Sequence, residues 1–425
     1  MKIGIIGTGS AAAVCAAVMF GVENEFLDSR DIRVSIISNP DIPKMSIGES
    51  LSPGIFRGLS TALKLKHSIK EHEQIDLILR IGARHSWENN ENSMFDINYV
   101  GTGAHMSSEK FSDFVFKRIN EIYDNRLLEI HDNIKHISQT DNVATAHGEN
   151  ATYSFDYLFD CRGFPTKEEL NSGKYNFPEF ETVNSVLLFQ HHQQYNHPYT
   201  EVLFHKNGWQ FGINTRNRKA FGYLYNKDIT DKEEALKHFK ELNKDIPIDN
   251  VKELYWPSYS VKKPINGRII SMGNKLYFYE PIQGIPLHNY FYFTRHILLK
   301  LYNITHEYES DLLINKFTNV NLPFEEMLNT LHSGLSSRLF DLIVLNYVGN
   351  MMYSDFWKIT KNKSIKYLLK KPDWIDFCNQ YVNYKNGKGD YPHYVPHPNA
   401  VIRQYLEGLN VDPEKFVNGE YSVTK

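Results

Sequence analysis

The chain is poor in cysteine: Cys15, Cys161 and Cys378 are its only three in 425 residues, and no Cys-x-x-Cys pair occurs. That spacing excludes a disulfide framework and a thiolate zinc site, and it fits a reducing compartment. Charge of one sign is also lacking. Lys and Arg number 47 against 50 Asp and Glu, a formal net charge of -3. Such a balance carries no footprint for nucleic acid or for an anionic membrane. Long apolar runs are missing too. The stretch Ile3 to Phe20 imitates a secretion signal, but Gly4, Gly7 and Gly9 break it early and no Ala-x-Ala cleavage site follows. No segment is long enough to span a bilayer, so the expectation is a soluble cytoplasmic protein. There is no internal repeat, no low-complexity tract, no Gly-x-Ser-x-Gly and no Ser/His/Asp pattern. No metal is expected: His105 and His205 have no partners at ligand spacing, and His393 and His397 sit in a proline-rich loop.

What is present is a large apolar fraction, 41% hydrophobic and 13% aromatic. That is ample for one large core or for two or three interlocked subdomains. Residues 2–7 read as a buried parallel strand ending in glycine, 10–21 as a tightly packed helix and 33–37 as a second strand. Residues 54–80 carry Leu and Ile at helical spacing, and 107–124 form an amphipathic helix capped by Ser107 or Ser108. Residues 126–160 and 183–225 alternate as strands do, with a turn at Asn207-Gly208, and 268–272 make another short strand. From about residue 285 the pattern is helical: 288–302, 306–317, 323–332, 338–353 and 362–384, followed by a loop at 386–399. The expected fold is α/β: a doubly wound, Rossmann-like sheet over residues 1–290. A β-rich region interleaves at about 85–110 and 175–265, and 291–425 are helical.

Gly7-Thr8-Gly9-Ser10-Ala11-Ala12 reads GxGxxA between a strand and a helix. Gly7 permits the tight turn, Gly9 lets the backbone approach a pyrophosphate, and Ala12 keeps the helix close to the sheet. The amides of Ser10 and Ala11 open the helix toward phosphate. The second strand of such a unit usually ends in an acid that holds the ribose. Here Ser38 stands there, a weaker partner for a hydroxyl.

The next stretch, Ser38-Asn39-Pro40-Asp41-Ile42-Pro43-Lys44-Met45-Ser46-Ile47-Gly48-Glu49-Ser50-Leu51-Ser52-Pro53, resembles the flavin strap of flavin-dependent halogenases of the tryptophan-halogenase type. That strap reads approximately E-S-P-D-I-P-x-I-G-V-G-E-A-T-x-P. Further matches follow in order. Asp160-Cys161-Arg162-Gly163-Phe164 resembles D-C-S-G-F, and Pro198-Tyr199-Thr200 with Gly208-Trp209 resembles a substrate-side hairpin. Gly273-Asn274 with Phe278-Tyr279-Glu280-Pro281 resembles G-N…F-x-E-P. Phe340 to Tyr347 with Phe356-Trp357 resembles R-D-F-I-I-L-H-Y…F-W. The resemblance implies FAD, used as FADH2, with contacts from Gly7, Gly9, Ser10, Ala11, Ala12, Ser38, Ile47, Gly48, Glu49, Ser50, Asp160, Gly163, Gly273, Asn274, Pro281 and Leu287. It implies reduced flavin from a separate flavin reductase, since no second nucleotide motif is visible, and a small-molecule substrate. Whether the chain forms a homo-oligomer stays open.

In the family, reduced FAD and oxygen convert halide to hypohalous acid, which a lysine in F-K-x-G-I-R-F…W holds near the substrate. This chain has Leu79-Arg80-Ile81-Gly82-Ala83-Arg84. Arg80 takes the lysine's place as a permanent cation that orients an oxidant without offering a free amine; the plain alternative is a surface or ion-paired arginine. The family's glutamate, in E-P-L-E-S-T-G, becomes Gln283 in Glu280-Pro281-Ile282-Gln283-Gly284-Ile285-Pro286, so general-base help is lost. Glu280 reads as structural. The halide would meet the backbone of Gly284, Ile285 and Pro286, where proline removes one donor, favouring bromide or iodide over chloride. Trp209 and Phe211 keep the aromatic spacing of W-x-W-x-I-P, a wall between substrate and flavin, or simply core strand residues. The readings left open are a halogenase, a flavin monooxygenase without halide chemistry, and a catalytically silent flavin-binding homologue.

Overall fold

A computed structural model describes residues 1–26, 32–42, 49–194, 197–304, 318–319, 321–349, 352–394 and 399–421. Ile47 and Gly48 of the strap, the helix expected at 306–317 and His397 lie outside the described residues, as do the side chains of Glu49 and Gln283.

The first strand, Lys2–Ile6, is buried from Ile3 onward, as a strand covered on both faces must be. It pairs in parallel with Arg33–Ser38 on one side and Tyr157–Asp160 on the other. The six-stranded sheet runs in the order 265–266, 269–271, 157–160, 2–6, 33–38, 127–131, parallel except at the 265–266 edge. This is a doubly wound sheet whose strands come from distant parts of the chain. The helix Ser10–Phe26 is apolar all round from Ala11 to Val22, and Ala12 to Phe20 are almost fully enclosed. Its small side chains let Pro53–Ala62, Ser108–Ile122 and Pro286–Leu301 pack onto it.

A second sheet has eight strands, in the order 252–255, 185–191, 219–225, 208–214, 199–205, 78–87, 90–106, 49–51. It is antiparallel except where 199–205 runs beside 78–87. Its register slips between Arg80 and Gly82, a bulge that sets Arg80 apart from its neighbours.

The helix expected over 54–80 is corrected to two short helices, Pro53–Ala62 and Ile69–Gln74, followed by the strand Ile78–Trp87. Lys64, His67 and Asp76 adopt positive φ and break the helical run. The pair expected at 323–332 and 338–353 is one helix, Phe324–Val348, which runs straight through Gly334. The single helix expected at 362–384 is two, Asp355–Leu369 and Pro372–Lys385, because Pro372 starts afresh at a first-turn position. Two further helices, Asn399–Gly408 and Pro413–Val417, follow the loop.

Candidate active site

Three glycine turns meet at the carboxyl ends of the parallel strands. Gly7 has φ +113, and a Cβ there would approach Cys161 O to 2.8 Å; its own N–H donates to Ile37 O at 2.8 Å. Gly273, at φ +61, would drive a Cβ to 2.9 Å from that of Ala11, so the Gly-Asn turn rests on the first turn of the glycine-loop helix. Gly9 and Gly163 face open space instead, with nothing within 4 Å of an added Cβ. The helical ladder begins with Ala13 N–H donating to Gly9 O at 3.1 Å, so the amides ahead of it point to the turn. Tight packing beneath and room above fit a flavin dinucleotide lying across the turns with its pyrophosphate at the helix start.

Two polar positions here are engaged within the protein. Ser38 Oγ lies 2.9 Å from His131 Nδ1. The Asp160 carboxylate, buried, takes both Arg162 Nε and a terminal nitrogen at 2.8 Å. Arg162 stands where the halogenase pattern has serine, so Asp160 holds the loop's shape through its neighbour. That hydrogen bond and charge raise the Arg162 pKa above the ordinary arginine range.

Arg80 is only 5% exposed, so it is not a surface arginine. Its Nε donates to Gly82 O at 3.0 Å, one terminal nitrogen donates to Ser50 Oγ and the other to Tyr99 OH. The guanidinium carbon also sits 4.7 Å from the Tyr99 ring centre. Among the described residues no carboxylate pairs with it. Burial lowers its pKa and the Tyr99 and Tyr405 hydroxyls oppose that, yet arginine remains charged. The nearby His105 is buried, with Nε2 2.7 Å from Thr200 Oγ1. Burial, and then the charge of Arg80, push its pKa well below the usual value. Among the described residues, the hydrogen-bond partners of this buried cation are therefore all neutral.

Glu280 gathers four donors. Trp209 Nε1 reaches Oε1 at 3.2 Å, Tyr347 OH reaches the two oxygens at 2.7 and 2.8 Å, and Thr182 Oγ1 and the Val183 amide complete the set. Burial pushes its pKa up to about 7 against the pull of those donors. The next residues, Pro281–Gln283, form a 3-10 turn that ends at Gly284 in the left-handed region, φ +57. Ile285 caps the helix Pro286–Leu301, and Pro286 takes its first position, where helices accept proline. The amides of Leu287 and His288 remain at the positive end. Trp209 is 1% exposed, and Phe211 lies over Gly222, where a Cβ would strike its ring at 2.1 Å.

Several residues escaped sequence reasoning. Tyr99 and Thr182 reach the site through contacts across 19 and 98 positions, and no local pattern marks them, while Tyr347, at the end of the C-terminal helix motif, reaches Glu280 across 67 positions. His288 Nδ1 lies 3.3 Å from Ser52 Oγ, joining the end of the strap to the helix at Pro286; burial drops its pKa to about 4. Cys15 and Cys161, far apart in the chain, are both buried and free, and Cys15 Sγ lies 3.3 Å from Thr294 Oγ1. None of the described helices is long and apolar enough to cross a membrane, and no cluster of metal-binding residues occurs among the described residues.

The family model described as tryptophan halogenase matches residues 2–164 and 129–371. No curated protein matches the chain in a sequence comparison. Solved structures do resemble it. A tryptophan halogenase from Shewanella frigidimarina superposes with a TM-score of 0.75 at 14% identity, covering 99% of this chain and 92% of that one. A flavin-dependent halogenase from Xanthomonas campestris gives 0.75 at 12% identity, covering 98% and 93%. The flavin-dependent halogenase BrvH from a Brevundimonas species gives 0.74 at 14%, covering 99% and 94%. At such identities the likeness is one of fold.

Proposed function

Since the chain belongs to the tryptophan halogenase family, whose members use a flavin, we propose that it is a halogenase-like oxidoreductase. In this reading it uses FADH2, oxygen and halide, preferring bromide or iodide to chloride, on an aromatic or otherwise electron-rich small molecule. A separate flavin reductase supplies the reduced flavin. The observation that carries the reading is Arg80: a buried cation with no carboxylate partner among the described residues, at the family lysine's place. A cation kept in low dielectric without a counter-charge is disposed toward an anion or a polarised oxidant.

The residues divide the work as follows. Gly7, Gly9, Ser10, Ala11 and Ala12, with Gly163 and Gly273-Asn274, hold the FAD, whose reduced form with oxygen supplies the oxidising power. Pro281, Leu287 and the strap residues Ile47 to Ser50 complete its surroundings. The Ile285-Pro286 helix start receives the halide, with one amide fewer than a residue other than proline would offer. Losing one charge-assisted hydrogen bond costs about 1.5–3 kcal/mol, which favours the larger halides because they lose less on dehydration. Arg80 orients the oxidant toward the substrate. Gln283 accepts no proton at neutral pH, so the reaction depends on arenes activated enough to lose theirs to water. Trp209 and Phe211 close the core behind the substrate. The buried free thiols of Cys15, Cys161 and Cys378 support a reducing, cytoplasmic setting.

The test is incubation with chemically reduced FAD, oxygen, bromide and an electron-rich arene, read by mass spectrometry. A brominated product is expected, and Arg80→Ala should abolish it while flavin reoxidation continues. A product that gains oxygen without bromine would instead indicate monooxygenation. Full bromination by Arg80→Ala would show that Arg80 is not the counterpart of the lysine.

A further inference from the structure

Two departures from the family pattern touch each other. Arg80 stands where the pattern has lysine, and Ser50 stands where it has alanine; the arginine donates to the serine hydroxyl. A lysine ammonium on a flexible stem needs no fixed partner, and an alanine methyl offers none. A planar guanidinium has a rigid fork and must have acceptors at its prongs. Ser50 supplies one and Tyr99 the other, while Gly82 O takes Nε at 3.0 Å.

The protons that remain point to a ligand. Both hydroxyls accept from Arg80, so their own hydrogens are free to donate elsewhere. Each terminal nitrogen of the guanidinium carries a second N–H beyond the one used. The result is four donors around one positive charge, with no carboxylate paired to it among the described residues and His105 held neutral beside it. Burying a cation this way is costly unless an anion neutralises it.

We propose that Ser50 and Tyr99 are positioning residues that fix Arg80 as an anion cradle, taking a halide or hypohalite. The cradle is built on the strands Glu49–Leu51, Ile78–Trp87 and Asn90–Met106. It rests on the halogenase reading for its role in turnover, but not for its existence. Ser50 lies on the strand Glu49–Leu51, paired with 104–106 of the long strand that also carries Tyr99. The cradle thereby ties the end of the cofactor strap to the oxidant-holding side chain.

The experiment needs no flavin. The thermal midpoint of the full-length protein is followed as sodium bromide replaces sodium fluoride at constant ionic strength. A ligand that binds only the folded state raises the midpoint in proportion to its occupancy. The wild type should be stabilised. Ser50→Ala and Tyr99→Phe should each need about tenfold more bromide for the same gain, as expected for one lost charge-assisted hydrogen bond. Ser50→Thr, which keeps the hydroxyl, should retain the response, and Arg80→Ala should lose it. If Ser50→Ala and Tyr99→Phe lower the midpoint but leave the bromide dependence unchanged, the two residues are merely structural and the proposal falls. It also falls if the wild type ignores bromide. Halogenated product per flavin oxidised is measured in parallel. A bromide response that follows Ser50 and Tyr99 without any product upholds the cradle and sinks the halogenase reading. Product without that response does the reverse.

Discussion

Ser38 and Glu280 show how much turns on a single side chain. Ser38 ends the second strand with its hydroxyl 2.9 Å from His131, where a dinucleotide fold usually offers a carboxylate. Ser38→Glu should therefore tighten FAD about five- to tenfold, the worth of a charge-assisted over a neutral hydrogen bond. Flavin fluorescence titration checks this, and unchanged or weaker binding would mean that Ser38 does not meet the ribose. Glu280 raises a question of pH. Its folded pKa is pushed up to about 7 from an ordinary 4.5 by burial. The folded state then keeps a proton that the unfolded chain releases, so stability falls as pH rises between those values and levels off above them. The whole effect is about 3 kcal/mol. Glu280→Gln cannot titrate. Its thermal midpoint should gain on that of the wild type between pH 5 and 7.5, whatever the offset at the start. A gap that stays constant across that range would contradict the assignment. Among the residues, the glycine turns after the parallel strands were legible, because backbone geometry leaves a local mark. Tyr99 and Thr182 were not, because a hydroxyl that matters only through a distant partner has no signature in its own neighbourhood.

At the scale of elements, the segment from Glu280 to Leu301 turns an irregular stretch into a helix start. Reading Pro286 from sequence gave a missing donor. The structure adds that it occupies the first position of a 16-residue helix, with further amides behind it at the positive end. Pro286→Ala restores one N–H at a position where alanine is equally helical. Half-saturating chloride for turnover should drop roughly tenfold, with bromide affected less. If steady-state kinetics show chloride use unchanged, the halide does not meet this amide. The corrections elsewhere have local causes. Residues 54–80 kept helical periodicity through a region where three residues with positive φ break the chain, and hydrophobic spacing does not report backbone handedness. Gly334 invited a boundary inside Phe324–Val348, but a buried helix outweighs the cost of one glycine through its packing.

Taken whole, the molecule follows the architecture expected from the opening strand, its glycine turn and the scattered matches: a doubly wound sheet, an interleaved antiparallel sheet and a helical end. Order along the chain was readable; which distant pieces touch was not. Glu280 illustrates the difference, since its hydrogen bond to Tyr347 spans 67 positions. That bond has a consequence for how the protein is made. Synthesis runs from the first residue onward, and the turn at Pro281–Gln283 reaches the end of the ribosomal tunnel with three of the four donors to Glu280 already made. Tyr347 belongs to a long helix still being translated. The tyrosine that reaches both carboxylate oxygens is therefore the last donor to be made, when roughly four-fifths of the message has been read.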